Sequence, residues 1–273
     1  MPLKALILAG GRGTRLRSLG EALPKCLLPI FDRPLLLRQI EQCAHAGVEE
    51  VLVSVAAKFE PMVSTVLERL DLPVRVTCIP EVTPLGPVGG LLSVLSSLGD
   101  CRVLMILGDE YFQDMSALKD VAQAPLSGPE DLALGIVTGS QPSQIFCNAV
   151  LDGQGGRVIR LVEKPAPREI VGDARWCGVA AFPARSLGNT EITGDAHVGE
   201  ALDSLIARGH VALPVRIREI HLNVNTPDDA LVASLIESCA SEPERTAEAV
   251  LAHLRGLVAR ALPHGYQDRC QSP

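Results

Sequence analysis

A glycine-rich loop near the N-terminus combines residue types that are suited to binding phosphate. An apolar run, residues 5–9, leads into residues 10–13, three of which are glycine. Glycine has no Cβ, so the backbone N–H groups of such a loop can surround an anion closely. Arg15 and Lys25 follow, and both side chains are positively charged at neutral pH. The spacing therefore predicts a loop that binds a polyphosphate, such as the triphosphate of a nucleotide.

Two well-known phosphate-binding loops do not match this segment. A P-loop requires G-x-x-x-x-G-K followed by Ser or Thr, and no such string occurs. A dinucleotide fingerprint, G-x-G-x-x-G, can start at Gly11 and Gly13 but has Leu16 where its third glycine belongs. The pattern that remains is G-G-x-G-T-R-L followed by P-K. A glycine-rich surface turn is the alternative, but a turn does not require Arg15 and Lys25 at these positions.

The remaining pattern resembles the signature of the nucleotide-sugar pyrophosphorylases, the sugar-1-phosphate nucleotidyltransferases. The resemblance implies transfer of a nucleoside monophosphate from a triphosphate to a sugar 1-phosphate, which releases pyrophosphate and forms an NDP-sugar. Two anions must meet in this reaction, so we expect cations near both and a divalent metal ion. The catalytic residues that the resemblance implies are Arg15, Lys25 and Asp109. The implied nucleotide-binding residues are Leu8, Ala9, Gly10, Gly11, Gly13, Thr14, Arg15, Glu81, Pro84 and Gly86.

Asp109 is the first candidate for binding the metal ion. It follows Gly108 and the apolar run of residues 103–107, which predicts a buried strand. Ligands of open α/β sheets bind outside the carboxyl ends of the strands, and Mg²⁺ prefers oxygen ligands. The pyrophosphorylases carry a Gly-Asp pair at this point whose Asp binds the metal. We therefore expect Asp109 to bind Mg²⁺; the alternative is that it caps the segment that follows.

Two further segments match the family in the expected order. Residues 84–90, P-L-G-P-V-G-G, resemble a P-L-G-T-A-G-A segment that lies along the base and ribose, and Glu81 precedes them. Residues 162–165, V-E-K-P, resemble the family's V-E-K-P. The resemblance implies that Glu163 bonds to sugar hydroxyls, that Lys164 meets the sugar phosphate, and that Gly178 lies near the sugar. Without the other motifs, V-E-K-P alone would indicate only an exposed ion pair.

The last motif departs from the family pattern. Residues 222–229, L-N-V-N-T-P-D-D, resemble a stretch W-x-D-x-G-T-P-E whose Asp is the second metal ligand. The matching residue here is Asn223, whose amide oxygen can bind Mg²⁺ but brings no charge. The molybdenum-cofactor guanylyltransferases of the wider superfamily tolerate N-x-N-T-P strings, so we expect Asn223 to be a ligand. Asp228 and Asp229 are expected to cap the helix that Pro227 opens.

Composition excludes several other classes of protein. The chain has 273 residues, a formal net charge of −7, 47% hydrophobic residues and 3% aromatic residues. A basic face for nucleic acid and aromatic platforms for single strands are therefore not expected. No apolar run reaches the ~18–20 residues of a membrane span. The short N-terminal apolar run predicts a strand rather than a signal peptide. The 8 cysteines are scattered without a C-x-x-C pair, which favours reduced thiols and a cytoplasmic location.

These candidate residues must be positioned by alternating strands and helices. Strands are predicted at residues 5–9, 50–55, 74–79 and 103–107, and helices at 34–46, 59–70 and 86–98. This alternation predicts an α/β fold that is Rossmann-like, with a mainly parallel central sheet and helices on both faces. After about residue 130 the pattern becomes strand-rich, at 132–138, 147–151, 158–162 and 179–182, with a hairpin turn at 152–156. We expect antiparallel or mixed additions to the same sheet, followed by a helix at 199–208 and a strand ending near 224.

The C-terminal segment is predicted to be an appendage. Residues 1–240 form the predicted nucleotidyltransferase domain, and residues 241–273 add a helix at about 244–262. This helix has one apolar face, and Pro243 and Pro263 flank it. An exposed apolar face would be unfavourable, so we expect a homo-oligomer or packing against the chain's own helices.

Two other functions are compatible with the sequence. One is a cytidylyl- or guanylyltransferase whose acceptor is a cyclitol phosphate or another phosphate or phosphonate. The other is a regulatory homologue that binds a sugar nucleotide without turning it over. Arg15, Lys25 and Asp109 together argue against the second, because a non-catalytic protein has no need of all three.

Overall fold

The first half of the chain alternates strands with helices. The computed structural model describes residues 1–11, 18–82, 88–188 and 196–241. The elements of this half are β1 (Leu3–Ala9), α1 (Ser18–Ala22), β2 (Pro29–Ile30), β3 (Arg33–Pro34), α2 (Leu35–His45), β4 (Glu50–Ala56), α3 (Glu60–Glu68), β5 (Arg75–Glu81), α4 (Gly89–Leu98) and β6 (Arg102–Leu107). A short 3-10 turn at Lys25–Leu27 separates α1 from β2.

The second half contains more strands than helices. Its elements are β7 (Glu110–Phe112), α5 (Ala117–Ala122), β8 (Leu132–Val137), β9 (Cys147–Leu151), β10 (Val158–Glu163), β11 (Arg175–Pro183), α6 (Arg185–Gly188), α7 (Val198–Ala207), β12 (Ala212–Arg216), β13 (His221–Asn223) and α8 (Pro227–Ser241). The hairpin predicted at 152–156 joins β9 to β10, which pair antiparallel.

Within the described residues, one nine-stranded sheet organises the fold in the order β5-β4-β1-β6-β11-β8-β12-β10-β9. The strands β5, β4, β1 and β6 are parallel to one another, as the sequence predicts. Beyond β6 the sheet is mixed: β11 runs antiparallel to β6 and β8, whereas β12 is parallel to β8. Antiparallel pairing continues from β12 to β10 and β9. The strand-rich second half is therefore an extension of the first sheet, as expected.

Helices cover both faces of this sheet. On one face, α4 and α7 pack with their buried residues Leu91 and Leu202 against the core. On the other, α2, α3 and α5 contribute Ile40, Val63 and Leu118 to a second core. The central strands β1 and β6 are apolar along their length because both of their faces are buried. The α/β fold class with helices on both faces is confirmed.

The short strand β7, strand β12 and helix α5 were not indicated by the sequence pattern, whereas β13 and α8 match the predicted strand ending near 224 and the helix that Pro227 opens. Strands β7 and β13 form a separate antiparallel pair in which Asn223 lies opposite Glu110. Strand β12 inserts between β8 and β10, and α5 follows β7. Helix α8 packs on this pair through Ala230 and Ala233, in a small core with Tyr111. The predicted helix at 244–262 and the predicted appendage at 241–273 lie almost entirely outside the described residues.

The described cysteines are all free thiols, and most of them are buried. Burial raises the pKa of the Cys26 thiol to about 12, so the proximity of Lys25 does not activate it. In the described part of the chain, no helix combines the length and apolar character needed to cross a bilayer.

Candidate functional site

A cavity of about 950 Å³ opens at the carboxyl ends of the parallel strands. This edge is where ligands of open α/β sheets bind, because the loops that follow the strands diverge there. Seven of the predicted nucleotide-binding and catalytic residues line the cavity: Leu8, Ala9, Gly10, Gly11, Lys25, Glu81 and Asp109. Glu163 and Trp176 also line it. The structure therefore brings most of the described candidates together in one place.

Glu81 occupies the floor at one end of the cavity, between two glycines. The Ser54 hydroxyl donates a hydrogen bond of 2.8 Å to Glu81 Oε1. A Cβ on Gly10 would lie 2.0 Å from Glu81 Oε1, and one on Gly90 would lie 2.5 Å from the same atom. Only glycine at these two positions leaves room for the carboxylate. Glu81 is thus a fixed hydrogen-bond acceptor beside the glycine-rich loop.

Lys25 and Asp109, which both line the cavity, form an ion pair. Lys25 Nζ lies 3.2 Å from Asp109 Oδ2, and the two side chains are 15% and 27% exposed. The same ammonium group donates to Asn225 Oδ1 at 2.5 Å. The ammonium of Lys25 therefore lies between two oxygens of the kind that bind metal ions.

A buried polar layer lies directly behind Asp109. Asn223 Nδ2 donates to Glu110 Oε1 at 2.7 Å, and His221 Nε2 lies 2.8 Å from Glu110 Oε2. Burial raises the pKa of Glu110, and the neighbouring His221 opposes this. Gly178, predicted to lie near the sugar, packs on this layer: a Cβ there would lie 2.5 Å from Glu110 Cγ. Gly178 is not among the residues that line the cavity.

The donor set at this edge fits a divalent cation that is shared with substrate. Asp109 offers a partly exposed carboxylate, and the buried Asn223 Oδ1 has no hydrogen-bond partner in the described structure. Among the described residues, no group of three or more His, Cys, Asp or Glu side chains could hold a metal ion. An Mg²⁺ ion would therefore complete its shell with phosphate oxygens and water, as is usual for this ion.

Glu163 lines the cavity beside His197 and Gly199, and burial raises the pKa of Glu163. The next residue, Lys164, is not among those that line the cavity. Lys164 has a left-handed φ of 44°, which is rare for a residue with a side chain. Its ammonium donates to His197 Nε2 at 2.8 Å. Burial and this ammonium lower the pKa of His197.

Several predicted residues lie outside the described structure. These are Gly13, Thr14, Arg15, Pro84 and Gly86. Asp229 is described and caps the start of α8, because its Oδ2 accepts from the backbone N–H groups of Asn225 and Thr226.

The structure also adds residues that the sequence analysis did not assign. Asn225 contacts Lys25, and His197 lines the cavity rather than the outer surface. Glu110 holds Asn223. Of these residues, only Asn225 could have been assigned to the site from a motif, because it lies in the N-x-N-T-P string. His197 and Glu110 acquire their positions through contacts between distant parts of the chain.

The fold and the cavity define a class of protein: an α/β domain with a lysine–carboxylate pair in a cavity at the carboxyl ends of its parallel strands. A comparison with models of known protein families identifies the family. Residues 4–180 match the model described as nucleotidyl transferase. The chain belongs to this family.

Individual relatives agree with the family assignment. A probable mannose-1-phosphate guanylyltransferase 2 of Arabidopsis thaliana is 33% identical over 171 residues, which cover 60% of this chain and 46% of that protein. A glucose-1-phosphate thymidylyltransferase of Streptomyces griseus is 30% identical over 213 residues, covering 76% of this chain and 58% of that protein. The chain thus spans about half the length of the curated relatives that it matches.

A solved structure shares the fold. The putative glucose-1-phosphate thymidylyltransferase from Bacillus anthracis, in complex with a sucrose, superposes with a TM-score of 0.75. It covers 85% of this chain and 94% of its own length at 18% identity. At this identity the similarity establishes the fold alone.

Proposed function

We propose that this protein transfers a nucleoside monophosphate from a nucleoside triphosphate to a sugar 1-phosphate, releasing pyrophosphate and forming an NDP-sugar. The observation that carries the proposal is the meeting of Lys25 and Asp109 at 3.2 Å in a cavity lined by the glycine-rich loop. The named relatives act on mannose 1-phosphate and glucose 1-phosphate, and the sugar 1-phosphate acceptor follows from them.

Charge neutralisation and positioning are the main tasks of such a site. A phosphate oxygen of the acceptor attacks the α-phosphorus, and the bond from this phosphorus to the pyrophosphate oxygen breaks. Lys25 lies where it can neutralise negative charge on both reacting phosphates once it leaves Asp109 and Asn225. The backbone N–H groups of Gly10 and Gly11 line the same space and orient the triphosphate.

A bound Mg²⁺ ion would supply Lewis-acid polarisation of the phosphates. Asp109, with Asn223, would hold it. The remaining work falls on the chain itself: Glu163 and Lys164 position the acceptor at the far end of the cavity. Mg²⁺ as the metal and a homo-oligomer as the assembly belong to this proposal.

The carboxylate of Glu81 favours guanine as the base. A carboxylate only accepts hydrogen bonds, and guanine presents two adjacent donors, N1–H and N2–H₂, on one edge. The Ser54 hydroxyl fixes one oxygen of Glu81, and the two flanking glycines expose the carboxylate to the cavity. Among the relatives, several are named as mannose-1-phosphate guanylyltransferases. We therefore propose GTP as the preferred donor.

A matrix of triphosphates and acceptors tests the proposal. Pyrophosphate release is measured with Mg²⁺ for five triphosphates against several sugar 1-phosphates and one cyclitol phosphate. We expect release with GTP and a hexose 1-phosphate, and a loss of the preference for GTP in Glu81→Gln. Release only with a cyclitol phosphate would favour the alternative acceptor class. A protein that binds sugar nucleotides but releases no pyrophosphate under any condition would be a regulatory homologue.

A further inference from the structure

Unpartnered buried polar atoms are concentrated around one residue, Glu110. Within the described structure, three buried side-chain atoms lack a hydrogen-bond partner: Gln39 Oε1, His221 Nδ1 and Asn223 Oδ1. The other polar atom of each of these side chains bonds to Glu110: Gln39 to its backbone carbonyl, and His221 and Asn223 to its carboxyl group. Buried polar atoms are nearly always paired, so such a cluster requires a physical reason.

The orientation of the Asn223 amide follows from the chemistry of Glu110. A carboxylate oxygen can only accept, so it selects the –NH₂ group of Asn223, and the 2.7 Å contact joins Nδ2 to Glu110 Oε1. The carbonyl oxygen Oδ1 must then point away from Glu110. Oδ1 is buried and has no hydrogen-bond partner of its own in the described structure.

Glu110 is itself held firmly in place. Its second oxygen contacts His221 Nε2 at 2.8 Å, and the His221 side chain is 1% exposed. The strand pairing of β7 with β13 sets Asn223 directly opposite Glu110. Gly178, at φ +76°, supplies the space that the Glu110 side chain fills. Three separate elements therefore converge on one carboxyl group.

We infer that Glu110 is a positioning residue that turns the Asn223 oxygen toward the metal held by Asp109. Residue 223 itself carries no acidic group. The carboxyl group of Glu110 lies beside it instead, and it orients the neutral amide of Asn223. Groups that orient a metal ligand from behind often affect metal affinity as strongly as ligands do. This inference rests on the proposed function only in that the latter requires a metal ion at Asp109.

The inference changes what is expected of Asn223→Asp. A new carboxylate at residue 223 would meet Glu110 Oε1 at a hydrogen-bonding distance, where the amide now lies 2.7 Å away. Two like charges in a buried position repel, so this single change is expected to lower the thermal stability. Exchanging the two groups, Glu110→Gln with Asn223→Asp, restores one acid and one amide to the pair.

A double-mutant cycle with Mn²⁺ as the probe tests the inference. Free Mn²⁺ is followed by electron paramagnetic resonance, with the full chain alone and with inorganic triphosphate. We expect Glu110→Gln and Asn223→Ala each to weaken Mn²⁺ binding ~10-fold or more. Glu110→Gln should cause no further loss in the Asn223→Ala background, because it acts only through Asn223. The exchanged pair should bind Mn²⁺ at least as tightly as the native chain, because a carboxylate then replaces the amide as the ligand.

Several outcomes would overturn the inference. These are an unchanged Mn²⁺ affinity in Glu110→Gln, losses that multiply independently in the double variant, and no Mn²⁺ binding by the native chain in either condition. Glu130→Gln, which alters a surface carboxylate bonded to Arg185, is the matched control. Thermal melts identify variants that fail to fold. If Glu110→Gln alone fails to fold, the exchanged pair provides the second test of the inference. The measurement uses no sugar or nucleotide, so it can fail or succeed separately from the pyrophosphate assay.

Discussion

Lys25 has two competing sets of partners. In the structure its ammonium donates to the oxygens of Asp109 and Asn225. Both are acceptors that a metal ion or its water ligands would use, whereas the phosphates of a bound substrate would attract the ammonium instead. The ammonium of Lys25 compensates the negative charge of Asp109.

Replacing Lys25 should separate catalysis from metal binding. In Lys25→Met we expect pyrophosphate release to fall by about two to three orders of magnitude, because a charge-assisted contact worth ~2–4 kcal/mol to the transition state is lost. Mn²⁺ affinity should be equal to or higher than that of the native chain, since the competing ammonium is gone. Assays of pyrophosphate release measure turnover, and titration with Mn²⁺ measures the metal affinity.

The matched control for this prediction is Lys4→Met. Lys4 forms an ion pair with Glu50 at 3.4 Å, away from the cavity. The Lys4→Met variant should leave both pyrophosphate release and Mn²⁺ affinity unchanged. Near-normal turnover in Lys25→Met would remove Lys25 from the catalytic residues.

Gly178→Ala should destabilise the chain through contact with Glu110. The change places a Cβ at φ +76° and within 2.5 Å of Glu110 Cγ. Gly172→Ala is a matched control, because Gly172 has φ +69° and no atom within 4 Å of its ideal Cβ. The left-handed backbone alone costs ~1–3 kcal/mol, and we expect Gly178→Ala to lose more than its control in thermal melts. Equal losses would mean that Glu110 moves aside without penalty.

Sequence reasoning found the residues whose spacing is local. The glycines, Lys25 and Asp109 lie in short strings, and strings that follow a strand can be assigned to its carboxyl end. Glu110, His221 and Gly178 come together from β7, β13 and β11, so no short string contains them. Gly178, which is predicted to lie near the sugar, lies against Glu110 in the structure.

At the scale of elements, the end of β10 and the start of α7 form the far end of the cavity. Gly199, in the first turn of α7, is a glycine because a Cβ there would lie 2.3 Å from Glu163 Oε2. The Cys147 thiol contacts the same carboxyl group, which lowers the pKa of Glu163 against the larger raising effect of burial. The close packing of these elements therefore disfavours the ionised form of Glu163.

The stability that depends on Glu163 should fall as the pH rises. Because the pKa of Glu163 is higher in the folded chain, the folded state binds this proton more tightly than the unfolded state does. The contribution is fully present below the ordinary value of 4.5 and is lost as the pH rises through the folded value. Glu163→Gln should therefore raise the melting temperature at pH 8, and the gain should shrink toward pH 4.5.

Melting curves of native and variant chains across this range measure the effect. Glu219→Gln, at an exposed position, is the control and should give no pH-dependent difference. A constant difference at every pH would show that burial of Glu163 does not oppose its ionisation.

Most regular elements followed from their local patterns, and the exceptions have physical reasons. Strand β12, A-L-P-V-R, contains a proline and is short, so its pattern does not indicate a strand. Its pairing with β8 overrides this local preference. Strand β7 has only three residues and is stabilised by β13 and α8. These elements depend on tertiary contacts that periodicity does not encode.

At the scale of the whole molecule, the order of the strands in the sheet decides which distant residues meet at the cavity. Local sequence patterns do not predict this order. Alternation of strands and helices predicted the parallel half, because short links between them permit few other arrangements. The placement of β11 beside β6 and of β12 between β8 and β10 involves long crossings over the sheet. These crossings bring Glu163 and Trp176 to the same cavity as Asp109.

Helix α8, which ends at Ser241, covers the β7–β13 pair, and the described motif residues all precede residue 230. We therefore expect a chain that ends at residue 241 to retain nucleotidyl transfer at each site and to differ in assembly or stability. The apolar face predicted for residues 244–262 would require a covering surface, and a second copy of the chain is one such surface.

Sedimentation velocity of the full and shortened chains, together with pyrophosphate release per subunit, tests this expectation. A full-length oligomer that becomes a monomer on shortening, with unchanged turnover, would place the segment in the subunit interface. If the full-length chain is a monomer, the predicted homo-oligomer is wrong. The remaining explanation is that the segment packs against its own chain. Loss of turnover in a shortened chain that still melts cooperatively would mean that the segment contributes to the cavity itself.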